Sequence, residues 1–262
     1  MSDDLVRFED KSALPVELQK QLEEDSKENL EGVTPRLPKI KLPTGVSKEF
    51  TLEKFGEEPD QIKTFTGVVL YQTQANAYWL EKFGSGTSSP PDCASHDGIT
   101  PNPAYNNIQA KTCAECKHSR FGTAIGQSGE KLRGKACRNV KRIVVLIQGE
   151  MLPYLMTIPP ASIKAMDEYL INLRKEKRPY WSVASTFVIT TEKSSGNIQF
   201  PQVHASIAGY INDPVVLNKI KVLREEWSAV VKQTQFSSAE VSSEAAVSSE
   251  AEYIPPAGGE EF

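Results

Sequence analysis

Four cysteines are the residues of this 262-residue sequence whose type and spacing most directly permit chemistry. Their pattern is C-x19-C-x2-C-x20-C, formed by Cys93, Cys113, Cys116 and Cys137. No secretory signal pattern opens the chain, so the thiols are expected to stay reduced, which favours metal binding over disulfides. Zinc takes four ligands in a tetrahedron, and a C-x2-C turn supplies two of them at a suitable separation. The pattern therefore predicts one structural Zn²⁺ held by all four cysteines.

Two histidines leave other arrangements open. His96 stands in a C-x2-H relation to Cys93, and His118 follows the C-x2-C turn, so either could replace a cysteine ligand. The thiols could also be free and buried. A closed four-cysteine site has no open coordination position, so its predicted role is folding rather than catalysis. No nucleophile motif accompanies these histidines or His204, and no enzyme is predicted.

The charged residues are unevenly distributed along the chain. The formal net charge of −4 alone would argue against a polyanionic partner. Residues 1–32 hold ten acidic and four basic side chains, and residues 234–262 hold six acidic and no basic ones, so each end carries −6 and the body 33–233 carries +8. Residues 110–145 contain nine Lys or Arg against two Glu. This concentration of basic side chains predicts polyanion binding.

Aromatic residues near the basic segment indicate which polyanion is bound. Single-stranded nucleic acid binds to basic grooves in which the bases stack on aromatic rings. Phe121 stands between Arg120 and Gly122 just after the C-x2-C turn, where an exposed ring is expected. Trp79 follows a predicted strand and could be either a stacking platform or core. The predicted DNA contacts are Lys111, Lys117, Arg120, Phe121, Lys131, Arg133, Lys135, Arg138, Lys141, Arg142 and Trp79.

These residues require a scaffold, and hydrophobic periodicity predicts a mainly β fold with flanking helices. Strands are predicted over 64–71 with an extension to 79, and over 142–148, 154–158, 181–191 and 198–211. Helices are predicted over 161–175 and from Asp213-Pro214 to about 232, with Asp213 as N-cap. The strand order is compatible with an OB-type barrel.

Composition divides the chain into three parts. Residues 1–32 form an acidic, partly helical N-terminal arm, with a helix predicted over 15–29. Residues 33–233 form the OB-like DNA-binding core, in which the irregular segment 84–140 is long enough to need the zinc staple. Residues 234–262 repeat Ser-Ser pairs among Glu and Ala, which predicts a disordered acidic tail. No apolar run approaches the length of a membrane span, so no membrane partner is expected.

Several short motifs follow one another in a characteristic order. They are Pro35-Arg36 with Ile40-Lys41, Pro91-Asp92-Cys93 with Asp97-Gly98, Cys113-Ala114-Glu115-Cys116, Phe121-Gly122, Gly134-Lys135-Ala136-Cys137, Arg142 and Pro159-Pro160-Ala161-Ser162. Over residues 35–212 this order resembles a family of phage-encoded proteins of unassigned or single-stranded-DNA-binding function. The resemblance implies the same fold with a four-cysteine zinc loop. A departure is Lys117-His118, where relatives tend to have Pro and an aromatic residue.

The end of the sequence carries a second resemblance. Glu260-Glu261-Phe262 is similar to the acidic, phenylalanine-terminated tails of bacterial and phage single-stranded DNA-binding proteins. The resemblance implies that these three residues bind replication and recombination proteins, and that the tail competes with DNA for the basic groove.

Together, these patterns predict a non-enzymatic single-stranded DNA-binding protein that acts in phage DNA replication or recombination, in the cytoplasm of the host bacterium. Two alternatives stay open. One is a structural or adaptor protein in which the zinc loop is only a staple, and the other is a zinc-ribbon transcription regulator that reads duplex DNA. No basic recognition helix is apparent, which disfavours the regulator. The sequence does not define the oligomeric state.

Overall fold

The computed structural model describes residues 15–33, 36–43, 47–80, 90–126, 129–193, 197, 199–234 and 236. The chain divides into two compact units, Met1–Arg36 and Leu37–Phe262. In the first unit, helix α1 (Val16–Asp25) continues into a 3₁₀ turn at Ser26–Leu30, which confirms the helix predicted over 15–29. All other helices and strands described below belong to the second unit.

Within the described residues, nine strands form one sheet that curls into a half-barrel. They are β1 (Lys39–Lys41), β2 (Phe50–Glu53), β3 (Asp60–Ile62), β4 (Thr64–Tyr78), β5 (Cys93–Ser95), β6 (Arg138–Ile147), β7 (Tyr154–Ile158), β8 (Val183–Lys193) and β9 (Gln199–Tyr210). Eight lie in the order β3-β2-β1-β7-β6-β4-β8-β9, and β5 pairs with the end of β4. Neighbours are antiparallel except β1 and β7, which are parallel.

Strands β4 and β6 form the centre of the sheet. They pair from Gly67 opposite Ile147 to Ala77 opposite Arg138, with one bulge. Successive side chains of a strand point to opposite faces, and the apolar run of β6 is buried on both. Val145 belongs to the core cluster on one face, and Val144 belongs to the cluster on the other. A strand that is buried on both faces requires another structural element to pack against each face of the sheet.

Two helices provide those covers. Helix α2 (Pro160–Lys175) places Met166 and Leu173 in the cluster that contains Val145. Helix α3 (Pro214–Gln233) places Ile220 and Val231 in the cluster that contains Val144. The predicted N-cap of α3 is confirmed, because the Asp213 side chain accepts hydrogen bonds from the backbone N–H groups of the first turn.

The predicted class, mainly β with flanking helices, is confirmed. The long predicted strands and both predicted helices of the second unit are present within a few residues of their predicted bounds. Sequence reasoning missed β2, β3 and β5, since three or four residues are too few for a periodicity to show. Among the described residues, the terminal strands β3 and β9 do not pair with each other, so the sheet is open there.

The predicted start of the disordered tail at residue 234 is wrong. Thr234 caps the last turn of α3 through its backbone N–H, which donates to the Val230 carbonyl. Phe236 is buried at 2% exposure in a core cluster with Ala94 and Tyr105. The folded body therefore extends to Phe236, and residues 237–262 lie outside the described residues.

No helix in the described part of the chain combines the length and apolarity needed to cross a lipid bilayer.

Candidate nucleic-acid interface on the cysteine loop

Residues 79–137 connect β4 to β6 and carry all four cysteines, and we call this segment the cysteine loop. Cys93 opens β5 opposite Tyr78 of β4. Backbone hydrogen bonds place the others: Cys113 donates to the Ile99 carbonyl at 2.8 Å, Cys116 to that of Cys113 at 3.4 Å, and Cys137 to that of His118 at 2.8 Å. All four cysteines line one small cavity. The structure thus brings together the residues that the spacing selected.

Burial in the cavity makes the thiols of Cys93 and Cys137 less acidic. Burial, followed by the negative charges that the other three cysteines would carry, raises the pKa of Cys137 to about 12. Burial is also the main reason that the pKa of Cys93 lies above its ordinary value. In the absence of a cation, these thiols stay protonated at neutral pH. A bound Zn²⁺ reverses this preference, because a coordinating thiol is deprotonated by the metal.

The residues present match a zinc site in the type of their donor atoms and in their shared location. Four thiols that face one small cavity match the donors of a closed structural zinc site. Within the described ranges, however, no three or more His, Cys, Asp or Glu side chains form a group that could hold a metal ion as they are placed. Closing the four sulfurs onto an ion would therefore require their side chains to turn within the cavity.

The two competing histidines make other contacts. The His118 ring stacks on Tyr78 with centroids 4.1 Å apart, and its Nε2 lies 3.2 Å from the Gln109 amide oxygen. Burial, aided by the nearby Lys117 charge, lowers the pKa of His118. His96 Nδ1 lies 2.8 Å from the Lys232 carbonyl oxygen of α3. Neither ring is among the described residues that line the thiol cavity, which favours the four-cysteine set over a histidine ligand.

Residues 120–126 and 129–135 of the cysteine loop pair as the two antiparallel sides of a short hairpin. Its sides are joined by hydrogen bonds from Gly122 N–H to the Arg133 carbonyl, at 2.8 Å, and from Leu132 N–H to the Ala124 carbonyl, at 2.9 Å. The Thr123 hydroxyl donates to the Arg120 carbonyl at 2.6 Å and accepts from Ala136 N–H at 3.0 Å. These hydrogen bonds join the hairpin to the residues beside Cys116 and Cys137.

Most of the predicted basic contacts are accessible. Lys111, Lys117, Arg120, Lys131 and Arg133 are exposed, and Lys135 and Arg138 are half-buried. The two opposing acids of this segment, Glu115 and Glu130, are also exposed. The described part of the cysteine loop thus exposes five cations against three carboxylates, because Asp97 is also exposed, and the excess of positive charge lies in residues 110–137.

Lys141 and Arg142 must be removed from the predicted DNA contacts, because they are 3% and 0% exposed. The Lys141 ammonium lies 2.6 Å from an Asp167 carboxylate oxygen of α2. The Arg142 guanidinium donates to the Thr234 carbonyl at 3.0 Å and lies 4.5 Å from the centroid of the Phe236 ring. Both side chains tie β6 to a helix or to the end of the folded body. A count of basic residues cannot separate such structural cations from surface ones.

The two predicted stacking residues differ in their surroundings. Phe121 is 41% exposed, and the Lys135 ammonium lies 4.7 Å from its ring centroid. Trp79 is half-buried and packs against the core cluster that contains Tyr105 and Phe236. Phe121 can therefore offer ring surface to a ligand, whereas Trp79 contributes mainly to packing.

A second group of aromatic and basic contacts involves Tyr180-Trp181, which sequence reasoning marks as a possible stacking pair, and Arg224 of α3, which it missed. The Arg224 guanidinium lies 5.1 Å from the Trp181 ring and 5.5 Å from the Tyr180 ring. The Arg178 guanidinium lies 5.1 Å from the Tyr210 ring, which is 47% exposed. The sequence Arg178-Pro-Tyr-Trp181 was a possible signal, but Arg224 comes from a distant helix. Trp181 packs against the core cluster that α3 covers, whereas Tyr210 pairs with Val183, which belongs to the cluster that α2 covers.

The predicted partner-binding residues Glu260, Glu261 and Phe262 lie outside the described residues. No protein-family model matches the chain, and no curated protein matches it. The resemblance to phage-encoded proteins therefore remains a prediction, and the site itself has to support a function.

Proposed function

We propose that this chain is a single-stranded DNA-binding protein whose cysteine loop forms the binding surface. The single observation that carries the proposal is the combination of five exposed Lys or Arg side chains with an exposed Phe121 on that loop. Cations neutralise phosphates, and an exposed ring accepts an unstacked base, which duplex DNA does not present. The proposed setting is phage DNA replication or recombination in the cytoplasm of the host.

One structural Zn²⁺ held by Cys93, Cys113, Cys116 and Cys137 belongs to the same proposal. The loop has little regular structure, and its basic hairpin is attached next to Cys116 and Cys137. A four-thiolate centre would fix the base of the hairpin and so the spacing of its cations. The metal would supply folding free energy and no catalytic step.

Two further parts of the proposal concern fold type and the acidic tail. A curled, mostly antiparallel sheet with a long inserted loop is compatible with an OB-type core, in which such loops bind single strands. The segment 237–262 carries six acidic residues and no basic one. Such a segment would compete with DNA for the cysteine loop and would present Glu260, Glu261 and Phe262 to replication or recombination proteins.

The test is a competition between single-stranded and duplex oligonucleotides of equal length for the full chain, repeated over a series of salt concentrations. We expect preference for the single strand and a logarithmic salt slope that falls by about 0.7 per phosphate contact removed. Arg120→Gln should lower the slope by about this amount, whereas Arg174→Gln, an exposed arginine on α2, should leave it unchanged. Duplex preference would favour the transcription regulator, and binding to neither would favour the adaptor.

A further inference from the structure

A groove between α2 and the cysteine loop lies beside the proposed DNA surface. Its volume is about 510 Å³, which lies within the usual range for small-ligand sites. The loop contributes Phe121 and Lys135, and the paired strands β4 and β6 contribute Gln74 and Asn139 at its floor. Three different elements therefore converge on one cavity.

The wall formed by α2 is partly aliphatic. Ile163 and Ile171 line it, and Ile171 is 58% exposed although it is a large apolar residue on a helix surface. The groove is therefore lined by both an exposed apolar side chain and an exposed aromatic ring, the kinds of surface against which a base packs.

The charges of the groove favour an anion at its rim. Lys135 and Lys164 line it together with Asp167 and Glu168. Asp167 is neutralised by the buried Lys141, whose ammonium lies 2.6 Å away. The remaining balance is two cations against one carboxylate, which suits a phosphate close to an apolar slot.

The aromatic side of the groove is held in place by a hydrogen-bonded chain. The Asn139 amide donates to the Asn76 side-chain oxygen at 2.8 Å, and Asn76 donates to the Gly98 carbonyl of the cysteine loop at 3.1 Å. Lys135 donates to the Asn139 oxygen at 3.1 Å while its ammonium lies over the Phe121 ring. The sheet thus orients Lys135, and Lys135 contacts Phe121.

We propose that this groove holds one unstacked nucleotide of a bound single strand. The base lies between Phe121 and the aliphatic side of α2, and its phosphate lies near Lys135 and Lys164. The inference rests on the proposed function, and it adds a defined base site to what is otherwise a sequence-independent charged surface.

The experiment measures the Kd of the full chain for a dT20 oligonucleotide and for an abasic strand of the same length. Phe121→Ala should raise the Kd for dT20 about 10-fold and leave the Kd for the abasic strand unchanged. Phe55→Ala is the matched control, because Phe55 is 45% exposed on the β2–β3 connection. It should leave both constants within about twofold of the unaltered chain.

A second variant tests the opposite wall. Ile171→Asp should weaken dT20 binding, while Val222→Asp, at a 65% exposed position of α3, should not. If Phe121→Ala weakens both strands equally, or neither, the base site is wrong while single-strand binding stands. If the unaltered chain binds neither strand, the proposed function and this inference fail together.

Discussion

The sheet and the cysteine loop of this chain are stabilised by different kinds of contact. In the sheet, Phe65 stacks on Phe187 with ring centroids 4.9 Å apart, and Phe50 meets Phe65 edge-on at 5.0 Å. In the cysteine loop, the core cluster shared with the sheet has one large buried ring of the loop, Tyr105, and otherwise small side chains such as Ala94 against Ala77 of β4. Large buried rings stabilise the sheet through the apolar area they bury and their close packing. Small side chains bury little area, so other contacts must determine the conformation of the loop.

In the cysteine loop those other forces are polar. The Asp97 carboxylate accepts hydrogen bonds from the backbone N–H groups of Ile99 and Thr100 and from the Ser95 hydroxyl, each at 2.7 to 2.8 Å. Burial alone would raise the pKa of Asp97, but these hydrogen bonds more than offset it, so the pKa lies below its ordinary value. A loop held by such local hydrogen bonds can unfold separately from the sheet.

The largest effect that would sharpen this comparison is loss of the proposed metal. Cys116→Ser should reduce bound zinc from about one per chain to nearly none, since a structural site needs all four ligands. Structural zinc contributes about 10–16 kcal/mol of apparent binding free energy in small zinc domains. Hydrogen exchange should therefore become fast throughout residues 93–137 while β6 and β8 remain protected.

Ala114→Ser is the control for that experiment, because it adds a hydroxyl at an exposed position between two cysteines. It should retain zinc and loop protection. A purified, unaltered chain with well below one zinc per molecule would remove the metal from the proposal. Loop protection that survives chelation would show that hydrogen bonds alone hold the loop.

A smaller effect is expected in the sheet. Phe187→Ala should lower the free energy of unfolding by about 3–5 kcal/mol, because Phe187 is fully buried and leaves a cavity beside Phe65. The neighbouring Val188→Ala, at 36% exposure on the other face of β8, should cost about 0.5 kcal/mol or less. Denaturant unfolding followed by circular dichroism measures both values.

If the sheet and the cysteine loop are stabilised separately, the Phe187 variant should retain the properties of the loop. Below its melting temperature, Phe187→Ala should still bind zinc and protect the cysteine loop from exchange. If the loop loses protection in proportion to the sheet, the two regions form one cooperative unit and the contrast between them is wrong.

The same contrast explains how much of the molecule could be predicted from sequence. The strands around Val145 and Phe187 and the cap at Asp213 were predictable, because periodicity and capping are local signals. The grouping of the cysteines was also predictable from their spacing. The burial of Arg142 and Phe236 was not predictable, because their side chains contact each other although more than ninety residues separate them in the sequence.

The groove beside Phe121 was equally inaccessible to sequence reasoning. Phe121 itself stood out because it lies between a basic residue and a glycine. Its facing wall comes from Ile171 of α2, and its anchor comes from Asn139 at the start of β6. The pairing of β4 with β6 and the packing of α2 on the sheet bring these elements together. Functional surfaces assembled from distant elements leave no local pattern.

The smallest predicted effect concerns the boundary between the folded body and the acidic tail, and it needs two truncations. A chain ending at Phe236 keeps every described contact of the body. It should melt at the unaltered temperature and bind dT20 several-fold more tightly at low salt, because the six acidic residues of 237–262 no longer compete. The gain should shrink as salt rises.

A chain ending at residue 233 should behave differently, although it lacks only three more residues. Phe236 packs edge-on against His96 with ring centroids 5.4 Å apart, donates its N–H to the Tyr105 hydroxyl at 3.1 Å and lies under the Arg142 guanidinium. Its removal should lower the free energy of unfolding by about 3 kcal/mol, as for other buried phenylalanines. Equal melting temperatures for the two truncated chains would show that Phe236 does not stabilise the folded body. Equal affinities of the 1–236 chain and the full chain would instead show that the tail does not compete with DNA, and the cysteine loop would then bind DNA without regulation by the tail.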